Sequence, residues 1–360
     1  MARDRIRAAA LPPHPPLGDV SERAAEAPSE DPRPPVPGPA PFVLICGLDH
    51  ANVDEEEAVF RSAGVRFAQV VARSEDDFLR LCGEAEALLL QYGAVTRRVI
   101  AGLPRLRLLV RYGVGVDGVD LDAATDHGIP VANVPDYGTD EVANHAVALL
   151  LALARRLPEL DRQTRAGGWD VFAVQPIHRL AGQTVGIIGC GRIGSRVARK
   201  LAGFDVRLLG HDPYVAEVPP GVTPVGLDRL LAESDYVTVH CPLNAETRHL
   251  IDAAALARMK PSAVLVNTAR GGIVDTAALA AALERGRLGG AGLDVTEQEP
   301  LDPRSPLLRM DRVVVTPHAA WYSEEGRSDL KRRVAEEVVR VLVRGEPPRN
   351  CVNPRVLAKP

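Results

Sequence analysis

Thr184–Asp212 reads TVGIIGCGRIGSRVARKLAGFDVRLLGHD, and the reading of the whole chain starts from it. Val185–Ile188 is a short apolar run rich in β-branched residues, which predicts a buried strand. Gly189-Cys190-Gly191-Arg192-Ile193-Gly194 follows without a break and opens a helical pattern. A dinucleotide site requires that order. The first glycine lets the backbone turn sharply, the second leaves room for a pyrophosphate to reach main-chain N–H groups, and the third lets the helix lie close on its strand. The start of the helix then presents unsatisfied N–H groups and a positive dipole end to phosphate. A second strand over Val206–Leu209 delivers Asp212 about 20 residues on, where a carboxylate accepts hydrogen bonds from ribose hydroxyls and repels a 2′-phosphate, favouring NAD over NADP. A glycine pattern alone is weak, because many α/β turns match it by chance. The strand before it, the helix after it and the acid beyond weigh against an ordinary βαβ unit with no ligand.

The 360 residues exceed what one compact core usually absorbs, so two domains are expected. A net charge of −4 gives no electrostatic footprint for nucleic acid or an anionic membrane. Cys46, Cys82, Cys190, Cys241 and Cys351 are scattered without CxxC or metal-ligand spacing, which fits reduced thiols in a cytoplasmic protein and predicts no metal site. The longest apolar run, Ala146–Ala154, is too short to span a bilayer.

Residues 1–41 are dominated by Pro, Ala and mixed charge, and are expected to be a disordered leader or the product of a misplaced start codon. From Phe42 strands and helices alternate. Strands are expected at 42–46, 65–71, 87–90 and 106–110, and helices at 55–63, 75–82 and 96–101. That spacing predicts a small doubly wound parallel sheet. The strand ending at Val110 runs into Arg111-Tyr112-Gly113-Val114-Gly115-Val116-Asp117, a glycine loop at a carboxyl end, where open α/β sheets collect ligands. Two readings stay open there: a plain turn needing positive φ, or a nest of N–H groups for a small carboxylate. Asp140–Leu157 reads as one long apolar helix that carries the chain between domains. After the dinucleotide unit, strands at 236–240, 263–267, 290–295 and 313–316 complete a six-strand nucleotide-binding sheet. The last helix, near 323–344, is expected to return to the first domain and make it discontinuous. The expected fold is thus α/β with two doubly wound parallel-sheet domains. The first covers 42–138 and 318–350 and the cofactor domain covers 139–317.

Three polar residues stand at carboxyl ends of the late strands: Arg270, Glu299 and His318. An arginine offers a two-pronged donor for a carboxylate. A histidine can exchange a proton with an oxygen whose carbon exchanges a hydride, and a neighbouring carboxylate favours its charged form. Each residue alone has a bland reading, as a surface ion pair, a solvated acid or a strand cap. Their shared placement is what points to chemistry.

The segments Asn267–Asp275, Gly292–Val295 with Glu299-Pro300, and Thr316-Pro317-His318 resemble the signatures of the D-isomer-specific 2-hydroxyacid dehydrogenases, and the likeness runs from about 42 to 346. The resemblance implies a discontinuous flavodoxin-like substrate domain joined to an NAD-binding Rossmann domain in a homodimer, interconverting a 2-hydroxy acid and its 2-oxo acid. It implies that Arg270 binds substrate, that His318 is the acid/base and that Glu299 pairs with it. Val114 and Gly115 would lend backbone donors. Gly189, Gly191, Arg192, Ile193, Gly194, Asp212, Cys241, Thr268, Ala269 and Asp294 match positions that touch NAD. Within the family, Thr316–Glu324 and Asn350–Asn353 are similar to the C-terminal-binding protein group, which implies an alternative: an NAD(H)-gated corepressor-like module that grips peptides. Trp321 then either lines the substrate pocket, favouring a larger 2-oxo acid, or packs between domains. Asn144-His145 and Cys241 depart from the common family pattern. Phosphoglycerate as substrate would call on further cations such as Arg97, Arg98 or Arg111.

Overall fold

A computed structural model describes residues 40–47 and 52–358. The leader expected over 1–41 lies outside the described residues, save for Ala40 and Pro41. The strands are β1 (Phe42–Cys46), β2 (Arg66–Val70), β3 (Ala87–Leu90), β4 (Leu108–Arg111), β5 (Val131–Ala132), β6 (Thr184–Ile188), β7 (Arg207–His211), β8 (Val222–Pro224), β9 (Tyr236–Val239), β10 (Val264–Asn267), β11 (Gly290–Leu293) and β12 (Val313–Val315). The helices are α1 (Asp54–Ala63), α2 (Glu75–Leu81), α3 (Arg97–Ala101), α4 (Leu121–Asp126), α5 (Thr139–Ala154), α6 (Leu157–Arg165), α7 (Arg192–Leu201), α8 (Leu227–Glu233), α9 (Ala253–Arg258), α10 (Thr276–Glu284) and α11 (Glu324–Val338).

The strands form two wholly parallel sheets. One has five strands in the order β2-β1-β3-β4-β5, and the other has seven in the order β12-β11-β10-β9-β6-β7-β8. Parallel sheets are covered on both faces, and their sequences read as continuous apolar runs for that reason. In β1, Leu44 and Cys46 enter the core on one face with Leu88 and Leu109, while Val43 and Ile45 enter the opposite face with Leu89, Leu108 and Val110. The second face is closed from the far end of the chain, by Leu330, Val334, Ala335 and Val338 of α11. On the seven-stranded sheet α5 supplies Ala146, Leu149, Leu150 and Leu153 against Val185, Ile187 and Val266.

Three local expectations need correction. The cofactor sheet has a seventh strand, β8, which pairs with β7 at the edge. Its three residues end in Pro224, and proline is tolerated on an edge because no ladder N–H is needed there. The long helix stops at Ala154 rather than Leu157, because Arg156 turns left-handed with φ 52° and α6 then starts afresh with a proline in its first turn. The last helix is α-helical to Val338 and continues as one π turn over Val339–Val343. Among the described residues no helix is long and apolar enough to cross a membrane, and no cluster of side chains is suited to a metal ion.

Candidate active site

The glycine turn lies where β6 neighbours both β7 and β9, the point at which strand order reverses and a crevice opens. Gly189 holds φ 90°, and a Cβ there would stand 2.5 Å from the Cys241 nitrogen. A Cβ on Gly194 would come within 2.0 Å of the Gly189 carbonyl, so the start of α7 sits directly on the turn. At Gly191 a Cβ would meet open space, which is the clearance a pyrophosphate needs. Asp212 lies just past β7, accepting the Cys190 N–H at 2.8 Å through Oδ2 and the Tyr214 N–H at 2.9 Å through Oδ1. The carboxylate is therefore fixed at the mouth of the turn.

Two buried polar atoms around this crevice lack partners: Thr268 Oγ1 beyond β10 and His240 Nδ1 beyond β9. Buried donors and acceptors are rarely left unpaired, so orphans at a sheet's carboxyl edge fit a bound nucleotide. Burial pushes the His240 imidazole down to about 3, which keeps it neutral, and its Nε2 lies 2.9 Å from Thr238 Oγ1. Burial likewise pushes the Cys241 thiol up to about 11. Cys241 packs on Gly189 as an uncharged wall.

The residues expected from sequence to handle a proton lie beyond β11 and β12. His318 is held left-handed at φ 55°, with its N–H donating to the Asp294 carbonyl at 2.8 Å. Its Nδ1 is 2.8 Å from Glu299 Oε2, and Glu299 Oε1 accepts the Thr296 N–H at 3.1 Å. Burial alone would raise the Glu299 carboxyl. Its hydrogen bond to His318, the charges of His318 and Arg270 and the Thr296 N–H outweigh that and hold it below the ordinary carboxylate range. Asp294 is buried beneath this turn. Its Oδ1 accepts from Thr316 Oγ1 at 2.6 Å and from Ala319 N–H at 2.8 Å, and its Oδ2 accepts from Ala320 N–H at 2.9 Å. His145 Nε2 reaches Thr316 Oγ1 at 2.9 Å, so the interdomain helix also props the His318 segment.

Arg270 follows β10 and stretches to the loop after β4. Its Nε donates to Asp117 Oδ1 at 3.1 Å and its Nη1 to the Ala269 carbonyl at 2.8 Å. The guanidinium lies against Gly115, where a Cβ would stand 1.5 Å from Nη2, so any larger residue would push the guanidinium out of this position. Val114 is exposed beside it, and its carbonyl accepts from Asn133 Nδ2 at 2.5 Å. Trp321 packs against Tyr137 at 6.2 Å and Tyr322 at 5.7 Å between ring centres. The Tyr137 hydroxyl in turn lies 3.5 Å from where a Gly113 Cβ would be, which links Trp321 through one aromatic ring to the glycine loop.

The structure thus gathers Arg270, Glu299 and His318 with the Gly113–Gly115 loop at facing edges of the two sheets. Arg97 and Arg98 are taken up by surface pairs with Asp126 and with Glu75 and Asp76. Arg111 donates to the Leu90 and Tyr112 carbonyls, and burial followed by the charge of Arg270 pushes it down. Reasoning from sequence missed Asp117 and Tyr137. An acid two residues after Gly115 was the available signal for the first, and the Asn133–Pro135 turn that carries Tyr137 for the second.

Residues 147–320 match the family description "D-isomer specific 2-hydroxyacid dehydrogenase, NAD binding domain". The chain is 46% identical over 270 residues to a glyoxylate reductase of Korarchaeum cryptofilum, covering 73% of this chain and 81% of that protein. It is 40% identical over 304 residues to a D-3-phosphoglycerate dehydrogenase of Archaeoglobus fulgidus, covering 83% of this chain but only 57% of that longer protein. Among solved structures, D-lactate dehydrogenase from Aquifex aeolicus, complexed with NAD and lactic acid, superposes with a TM-score of 0.78 at 30% identity. That match covers 86% of this chain and 99% of the other. The cofactor is accordingly NAD, and the matched segment is its binding domain.

Proposed function

We propose that this chain, which belongs to the D-isomer-specific 2-hydroxyacid dehydrogenase family, uses Arg270, Glu299 and His318 to reduce a small 2-oxo acid to its D-2-hydroxy acid. The reaction class is an NAD-dependent oxidoreduction. Bound NADH supplies the hydride, and the protein supplies orientation and a proton. Arg270 holds the substrate carboxylate and carbonyl oxygen, helped by backbone N–H groups of Val114 and Gly115. His318 gives its Nε2 proton to the carbonyl oxygen as that oxygen becomes a hydroxyl, while Glu299 fixes the ring through Nδ1. In oxidation His318 takes the same proton back. The phosphates are held by the turn Gly189–Gly194 with Arg192 and Ile193, the ribose by Asp212, and the rest of the nucleotide by Cys241, Thr268 and Ala269. Asp294, expected from sequence to touch the nucleotide, is buried with its carboxylate taken up by Thr316, Ala319 and Ala320, and supports the His318 turn instead.

The observation that carries this reading is the 2.8 Å contact of His318 Nδ1 with Glu299 Oε2, beside a guanidinium close enough to lower the Glu299 carboxyl. A scaffold that only grips peptides has no need of a proton donor with a paired carboxylate, and the relatives named above are reductases and dehydrogenases. The corepressor alternative therefore finds no support. A homodimer is supported by the apolar arm after α6, where Trp169, Val171 and Phe172 are exposed. A cytoplasmic setting is supported by five free cysteines.

The test is NADH oxidation with glyoxylate, pyruvate, hydroxypyruvate and branched and aromatic 2-oxo acids. At least one is expected to turn over, and His318→Asn is expected to lose roughly 10²–10⁴-fold in kcat while still binding NADH. Silence of the wild type across the whole set overturns the reading.

A further inference from the structure

We propose that Asp117 is a positioning residue for Arg270, holding the guanidinium by its Nε–H from the opposite side of the cleft so that the N–H donors facing away from Asp117 are left for the substrate carboxylate. The inference rests on the catalytic reading of Arg270 given above, and adds to it a residue to which the sequence assigned no role.

A free arginine side chain has several rotatable bonds and presents its fork in many directions, so a site that needs two-pronged binding must restrain it. Arg270 has two restraints. Nη1 is tied to the carbonyl of its own neighbour Ala269 at 2.8 Å, and Nε is tied to Asp117 Oδ1 at 3.1 Å. The first tether is local and travels with the cofactor sheet. The second comes from the loop after β4, on the other sheet, and is the one that fixes where the guanidinium sits relative to the glycine loop. Gly115 completes the arrangement. A Cβ there would lie 1.5 Å from Nη2 and 2.8 Å from Asp117 Oδ1, so one absent methyl group gives passage to both charged side chains.

The charge of Asp117 serves the same end. Burial pushes its carboxyl up, but the Arg270 charge and hydrogen bond, with a smaller contribution from Arg111, bring it below the ordinary range, so it stays an anion at neutral pH. A carboxylate with two guanidiniums nearby offsets their repulsion and lets Arg270 remain over the loop before any substrate arrives. With Nε and one Nη1–H already engaged, the donors left over are those facing away from Asp117. An incoming carboxylate meets a fork whose direction is already set.

The experiment compares wild type with Asp117→Ala and Asp117→Asn, saturated with NADH. It reads KM and kcat for the 2-oxo acid that the wild type turns over best, the Kd of oxalate by calorimetry, and the Kd of NADH. Asp117→Ala is expected to raise both KM and the oxalate Kd about tenfold, with a smaller fall in kcat and an unchanged NADH Kd. Asn keeps an oxygen that accepts from Nε, so Asp117→Asn is expected to recover most of the loss. Oxalate binding equal to or tighter than wild type in Asp117→Ala overturns the proposal, because the acid would then compete with substrate rather than orient its receptor. Equal losses in both variants with a weakened NADH Kd overturn it too, as damage to the fold. Oxalate binding separates the two readings. If no 2-oxo acid turns over but Asp117→Ala still weakens oxalate, the catalytic reading fails and the positioning of Arg270 stands. If the wild type binds no oxalate, the proposal fails as well.

Discussion

Glu299 illustrates how little of a residue's role lies in its own charge state near neutral pH. Its carboxyl is held below the ordinary 4.5, so its negative charge is complete above that value and is lost only as pH falls through the lowered one. Glu299 itself therefore contributes no change in rate between pH 6 and 9. Glu299→Gln keeps a hydrogen-bond acceptor but removes the charge that favours the ring's proton, and is expected to lower kcat for reduction at neutral pH by about tenfold. Steady-state kinetics of the variant check this, and an unchanged kcat rejects it. The placement of Arg270, Glu299 and His318 was legible in the sequence because each lies a few residues past an apolar run that reads as a buried strand. Asp117 was not. Its partner lies 153 positions away, and an acid in a glycine loop looks the same whether it meets water or a guanidinium.

Among the elements, periodicity gave the long strands and helices, and failed where tertiary contacts decide. β8 is three residues long and acquires its identity only by pairing with β7. The helix α11 was readable from its apolar spacing, yet the same face carries Lys331, which is 1% exposed. Its Nζ meets Asn52 Oδ1 at 2.8 Å, Glu55, and Glu56 Oε2 at 3.6 Å. Glu56 is itself wholly buried, is raised by burial, and accepts the Tyr112 hydroxyl at 2.8 Å. A lysine on an apolar stripe reads as a flaw in the pattern until the facing acids of α1 are seen. Removing one partner of such a pair leaves a buried charge unmatched, so Lys331→Met is expected to lower the unfolding free energy by about 3–5 kcal/mol. Adding Glu56→Gln is expected to restore about half. Urea denaturation of the single and double variants measures both, and a double variant no more stable than the single one rejects the pairing.

At the scale of the molecule, two parallel sheets meet at their carboxyl edges, where Arg270 after β10 bonds Asp117 after β4, and the proposed chemistry lies there. The α/β class was readable from the alternation of elements, whereas the assembly state leaves only a faint trace in sequence. Trp169 is 92% exposed and Phe172 69%, on an arm that carries more apolar surface than a solvated segment needs. Trp169→Glu combined with Phe172→Glu is expected to convert a dimer to a monomer in light scattering while far-ultraviolet dichroism stays unchanged. A loss of about 2 kcal/mol per aromatic anchor weakens association by roughly 30-fold each. A wild type that is monomeric at micromolar concentration rejects the homodimer. The closure of the first sheet by α11 also sets an order of events during synthesis. The cofactor sheet draws its strands from one continuous segment and can form as it leaves the ribosome. The five-stranded sheet, although made first, must wait with one apolar face covered only in part, by α1, until residue 343 emerges, some 211 residues after β5. At roughly 5–20 residues per second, that is an interval of about 10–40 s. During it, chaperones that bind apolar surface would be the nascent chain's natural company.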